Sequence, residues 1–431
     1  MFKRTIFTAI LISLFMINST PCVFAGGNEP SREELVNRIS SLEEELAQLK
    51  TLVNRVAGEQ TKVEQKIDNI NVTNGTSTTE NAITSKHKVK LYGFLKLDAS
   101  SDSFKTNNPD APKYALSKTS NGNEKEFAMT AMNSRLGLKY YGPEELDAKV
   151  YGNLELDFYD TASDNSQKPR MRHAFFELQY PKWSLLAGQT WDIFGPLGPN
   201  TLNTNGYLWY SGNIGFRRPQ IRLTKVSEVN DQKKVTSQLS INRNIGSNLG
   251  SVNTGEDSNH PMIEGRVAYA FPLFGKTSTV AIAGLWGREK SSTKISVWAG
   301  GLDFVVPLTS TLSVKGEFFR GANLDGLLAG IGQGVNTTTN RGIDSIGGWG
   351  QVTCKPWDKY AFNLGYGTDK DDKDDLNTGD RHRNSTVFAN INYAIIKDVK
   401  LGLEYSYTET KYLNQKDGEN NRITTSLIYS F

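Results

Sequence analysis

From Lys88 to the last residue, side chains alternate between apolar and polar, and this period of two constrains the fold more than any other feature. A β-strand points successive side chains to opposite faces, so such a ribbon can meet a greasy medium on one side and water on the other. Val89, Leu91, Leu95 and Leu97 oppose Lys90, Tyr92, Lys96 and Asp98. Val150, Leu154, Leu156 and Phe158 oppose Lys149, Asn153, Glu155 and Asp157, and the pattern runs on through Ile423, Thr425, Leu427, Tyr429 and Phe431. The polar faces carry charge on nearly every strand, and a soluble sandwich would normally need fewer, shorter, more evenly looped strands.

The connections alternate as strictly. Short turns fall near 142–147, 181–182, 229–233, 272–276, 307–310, 356–359 and 396–397. Longer polar loops fall near 101–123, 159–169, 192–216, 245–259, 288–293, 322–344, 369–383 and 412–420. Aromatic residues such as Tyr140, Tyr180, Trp183, Trp357, Tyr360 and Tyr429 crowd the short-turn side. Short turns, long loops and an aromatic girdle describe a transmembrane β-barrel of about 16 antiparallel strands over residues 88–431. A mean hydropathy of −0.46 fits this reading, because alternation hides the lipid face from averaging. The terminal strand, ending at Tyr429 and Phe431, is expected to close the barrel and to be read by the barrel-assembly machinery.

Ahead of the barrel, residues 1–25 read as a signal peptide: Lys3 and Arg4, an apolar stretch, then Val23-Phe24-Ala25 before Gly26. Residues 26–72 are expected to be a periplasmic coiled coil. Ile39, Leu46, Val53, Gln60 and Ile67 take one heptad core position; Leu35, Leu42, Leu49, Val56, Val63 and Ile70 take the other. β-Branched residues at both positions in the second half favour three strands over two. Residues 73–87, rich in Asn, Thr and Ser, read as a flexible linker.

At about sixteen strands the interior holds water, so the inward set is the functional surface. It is expected to include Lys96, Arg135, Lys139, Arg170, Arg172, Arg217, Arg218, Arg222, Arg266 and Lys315, with Arg320 continuing the series. The carboxylates Glu155, Asp157 and Glu177 share the wall. Residues 191–218, rich in Gly, Asn and aromatics and poor in charge, suit a lumen better than a solvated exterior. This stretch, with Trp191 and Trp209, is expected to form the constriction; residues 321–344 are a second candidate. Rings of charge select ions by sign, so the basic ladder would favour small anions. The alternative, left open by the residues, is a mixed polar wall that keeps the pore wet with at most slight selectivity.

Other chemistry is thin. The four histidines lack metal-ligand spacing, Asp369–Asp375 lacks the glycine of a calcium loop, and no nucleophile–base arrangement stands out. No enzyme activity, metal or cofactor is expected. Without Lys3 and Arg4, the 49 basic and 46 acidic residues leave a formal charge of +1, which gives no reason to expect nucleic acid.

The signal, the coiled coil, the polar linker, the strand VKLYGFLKLDAS (Val89–Ser100), the strand RPQIRL (Arg218–Leu223) and the terminal YSF together resemble the DcaP-like outer-membrane porins. The resemblance implies a homotrimer of sixteen-stranded channels, each narrowed by an inward loop, passing small anionic, dicarboxylate-like solutes. It implies a bacterial outer membrane, with lipid and lipopolysaccharide around the barrel. The alternative is a structural or adhesive protein in which the coiled coil does the work and the barrel is an anchor. A coiled coil reaching the peptidoglycan is compatible with either.

Overall fold

The computed structural model describes residues 88–119, 123–159, 167–206, 208–246, 254–290 and 293–431. The signal peptide, coiled coil and linker expected over 1–87 lie outside the described residues.

The described residues form one closed antiparallel barrel of sixteen strands, with a separate two-stranded ribbon, Val335–Asn336 and Arg341–Gly342, in one connection. The barrel strands are β1 (Lys88–Asp102), β2 (Glu126–Thr130 and Arg135–Glu145), β3 (Ala148–Asp157), β4 (Arg170–Gln179), β5 (Trp183–Trp191) and β6 (Arg217–Asn230). There follow β7 (Lys233–Asn242), β8 (Met262–Leu273), β9 (Lys276–Lys290), β10 (Lys294–Pro307) and β11 (Leu312–Ala322). The last five are β12 (Asp344–Trp357), β13 (Tyr360–Asp371), β14 (Arg381–Ile396), β15 (Val399–Tyr412) and β16 (Gly418–Ser430). The two pieces of β2 are one interrupted strand, since both pair with β1.

Closure comes from the terminal strand. β1 pairs with β16 from Phe94 opposite Ser430 to Asp102 opposite Arg422, and Gly93 and Phe431 exchange backbone hydrogen bonds at 3.1 Å. No edge is left to face lipid. The turns at one rim are tight, with Leu146, Asp147, Phe274 and Asp398 at positive φ. The connection expected over 288–293 is shorter than anticipated: β9 runs to Lys290 and β10 restarts at Lys294.

The exposure pattern is inverted relative to a water-soluble protein. Ile282 is 68% exposed and Leu364 56%, whereas Asp157 and Asp369 are fully buried. Outward apolar side chains such as Leu95, Phe176, Ile221, Leu302 and Leu427 surround the barrel. Burying each would stabilise a soluble fold by about 1.5–3 kcal/mol, and lipid supplies that burial here. Near the tight-turn rim, Tyr180 stacks on Trp183 at 4.1 Å, and Tyr360 packs near Trp357 and Tyr393, forming the expected girdle. Cys354 is half-buried and unpaired on the outward face it shares with Val352.

Candidate pore constriction

The connection between β5 and β6, residues 192–216, turns into the lumen. Its only charge is Asp192, so the rest of it can leave bulk water provided its backbone groups find partners. Inward polar side chains of distant strands supply them. Glu264 of β8 accepts from the amides of Ile193 and Phe194 at 3.0 and 3.2 Å, and Glu317 of β11 from Leu197 at 2.6 Å. Gln351 of β12 accepts from Asn200 at 2.7 Å, and Glu404 of β15 from Leu202 at 2.8 Å. Lys315 donates to the Gly198 carbonyl at 2.6 Å, and Lys96 of β1 to that of Leu202 at 2.8 Å. The loop is thus clipped along the inner wall from β8 round to β1.

Beneath it lies an apolar core inside the barrel. Phe194 and Ile214 pack with Met262, Leu285, Val297 and Phe319 of the wall and with Leu324, Leu327 and Ala329 of the connection 323–343. Both stretches proposed for the narrowing therefore fold inward. Gly212 is at φ +95° against the backbone oxygen of Gly348, a place no Cβ could occupy.

Opposite the loop stands a basic wall. Arg170 forks onto Asp157 with bonds of 2.8 and 2.6 Å; Arg172 bridges Glu155 at 2.6 Å and Asp157 at 3.1 Å. A β-bulge decides this arrangement. Between Glu155 and Leu156 the register slips, leaving Arg172 as the extra residue, so Arg170, Arg172, His173 and Glu177 all face inward although their spacing mixes odd and even. Arg217 stacks over Trp191 at 4.5 Å, and Arg172 lies 5.9 Å from the same ring. Arg217 has the parity of the lipid-facing Ile221, yet it is only 8% exposed.

Four guanidinium groups (Arg135, Arg170, Arg172, Arg217) thus face two carboxylates across one cluster. Nε and Nη2 of Arg135 and Nε of Arg217 are buried without a protein hydrogen-bond partner. A space of about 410 Å³ is bounded by Trp191, over which Arg217 stacks, the arch Gly195–Thr201, Trp209 and Asn213. Trp191 and Trp209 stack at 6.2 Å across it.

The other expected lumen residues have separate stations. Lys139 sits over Tyr92 at 4.8 Å, Arg222 donates to Gln220 at 2.9 Å, and Arg266 is forked onto Asp303 at 2.8 and 2.7 Å. Glu177 accepts from Ser184 at 2.6 Å. Lys96, paired with Asp98, and Lys315 hold the loop instead of lining the open passage. Arg218 is fully buried, bonded to Asp192 and to the Gly326 carbonyl at 3.0 Å. Arg320 is a correction: it shares the outward face with Phe318 and is exposed, because inward parity on β11 belongs to Lys315 and Glu317. The clips Glu264 and Gln351, and Asn384 and Asn390, which donate to the Tyr210 and Asn200 carbonyls at 2.8 Å, look in the sequence like any inward polar residue.

The Gram-negative porin family model matches residues 71–413. The chain belongs to the Gram-negative porin family. It is therefore a porin channel of the bacterial outer membrane. Among solved structures, the outer-membrane channel DcaP of Acinetobacter baumannii aligns over 82% of this chain and 100% of its own, with a TM-score of 0.66 at 20% identity. The anion-selective porin from Comamonas acidovorans aligns over 80% of this porin and 100% of its own, with a TM-score of 0.54 at 11% identity. The trimer form of OmpT from Vibrio cholerae covers 80% of this porin and 99% of itself, with a TM-score of 0.52 at 14% identity. At these identities the likeness is one of fold. Comparison with curated sequences gives no match.

Proposed function

We propose that this porin passes small hydrophilic anions, with dicarboxylates the best-fitting class, by passive diffusion without a catalytic step. The observation that carries the reading is the excess of guanidinium over carboxylate at the narrowing, with unpartnered nitrogens on both Arg135 and Arg217. A planar carboxylate can accept two parallel hydrogen bonds from a guanidinium, and a second carboxylate can use the neighbouring arginine. The arch Gly195–Thr201 carries no acid to offset them. A low-dielectric wall concentrates the field along the passage. The comparison channels include an anion-selective porin and a trimeric form, which supports an anion preference and a homotrimeric assembly here. The test is the reversal potential of the purified porin in a planar bilayer under a salt gradient. A sign favouring cations, unchanged by Arg135→Gln with Arg217→Gln, would remove the proposal.

A further inference from the structure

A carboxylate buried in protein is held by an opposite charge or by a metal ion. Among the described residues, Glu289 has no opposite charge to pair with. It shares the inward face of β9 with Leu285 and Gly287 and is 1% exposed. The ionisable group that acts on it is another acid, Asp325, and Asn323 lies beside its carboxyl group. Glu289 Oε2 has no protein hydrogen-bond partner, and neither Oδ1 nor Nδ2 of Asn323, also 1% exposed, has one. Buried polar atoms are almost always satisfied, so three such atoms side by side point to a ligand held between them.

Three stretches far apart in the chain bring oxygen atoms to this place. The connection 323–343 supplies Asn323 and Asp325. A Cβ on Gly334 would fall on the Oδ1 atoms of both, so the two oxygens converge on space that only a glycine leaves open. The connection between β7 and β8 supplies Asn244 and Thr254. Asn244 is buried; its Nδ2 donates to the Arg288 carbonyl, and its Oδ1 has no protein partner. A Cβ on Gly246 would fall on Thr254 Oγ1 and lie 3.0 Å from the Glu289 carboxyl carbon. The wall itself supplies Glu289. No spacing in the sequence announces this set, because its members lie on three segments that meet only in the closed barrel.

We infer that Glu289, Asn323 and Asp325, with Asn244 and Thr254 at the margin, bind one calcium ion. The donors are carboxylate, amide and hydroxyl oxygens, with no sulfur or imidazole among them, which is the hard set that calcium takes. Magnesium demands near-ideal octahedral geometry, and donors spread over three segments suit the looser calcium shell. The ion ties the connection 323–343 and the β7–β8 connection to the β9 wall. Leu324, Leu327 and Ala329 of the first of these pack against Phe194 of the constriction loop, so the ion braces the narrowing from behind. The inference rests on this cluster and not on the ion preference of the pore.

The test uses the full chain refolded in lipid-free detergent and stripped with EDTA, with folding checked by heat-modifiable gel mobility. Binding is read as tryptophan-sensitised terbium(III) emission and its displacement by calcium or magnesium chloride. Calcium should compete with a Kd of about 0.1–1 mM, the range of extracellular oxygen sites, and magnesium about tenfold more weakly. Glu289→Gln keeps the shape and removes one negative ligand, so calcium affinity should fall by about tenfold. Asn323→Asp adds a charge where an oxygen already points, and affinity should rise by about tenfold. An asparagine with a merely structural role would give no such gain, so this variant keeps the test open should Glu289→Gln not fold. No displacement by calcium at about 10 mM, equal affinity in the wild-type chain and Glu289→Gln, or no gain from Asn323→Asp would each overturn the inference.

Discussion

Asp192 and Arg218 form an ion pair at 3.0 Å with both side chains fully buried, at the point where the inward loop leaves the wall. The pair joins the first residue of the loop to the β6 strand, and Arg218 also ties down the Gly326 carbonyl of the second inward connection. It holds the two folded-in segments against each other and against the barrel.

Breaking that pair should release the loop. Asp192→Ala leaves the Arg218 guanidinium buried and unpaired, a cost of about 3–5 kcal/mol. The barrel ladder does not depend on it, so heat-modifiable mobility should persist while single-channel conductance rises and becomes noisy.

The basic wall should set the ion preference unequally. Arg172 bridges Glu155 and Asp157, so Arg172→Gln removes a cation and uncovers Glu155, while Asp157 keeps its fork from Arg170. A unit charge about 4 Å from a permeating ion is worth about 1 kcal/mol even in water, so anion-to-cation permeability should fall several-fold. Arg266→Gln, at its separate station with Asp303, should shift it less. Reversal potentials of the two variants decide this.

Lys113, in the connection between β1 and β2, adds a pH dependence. Burial, and secondarily the charge of Arg170, hold its ammonium below the usual lysine range. A lowered lysine loses its proton early, so the protein gains stability as pH rises from the folded value towards the ordinary one, while the positive charge beside Arg170 is lost. Anion preference measured from neutral to about pH 10 should therefore decline before ordinary lysines titrate. Lys113→Met should flatten that decline.

Seating of the loop also needs a glycine. Gly212→Ala places a Cβ against the Gly348 carbonyl at a left-handed φ, a strain of about 1–3 kcal/mol. Conductance noise should increase, with little change in the temperature at which the barrel unfolds.

Outside, Ile282→Lys should destabilise insertion by about 2–4 kcal/mol, since the residue faces the middle of the lipid zone. Ile282→Val should be nearly neutral. Urea titration of folding into liposomes separates the two.

The barrel was legible in the sequence because lipid and water impose a period of two on every strand, and the rhythm of turns and loops counts the strands. The inward loop was legible from its lack of charge. Which charges meet was not. Arg172 reaches the wall through a bulge, Arg217 is buried over Trp191 against the parity of its strand, Arg218 is absorbed as an anchor, and Arg320 faces outward. Alternation assigns a face to a residue, but a one-residue slip reverses that face. Glu264 binds the loop from a strand some seventy residues along the chain. Only closure of the barrel brings such partners within hydrogen-bond distance, and so only the tertiary structure decides where the passage narrows and which charges face it.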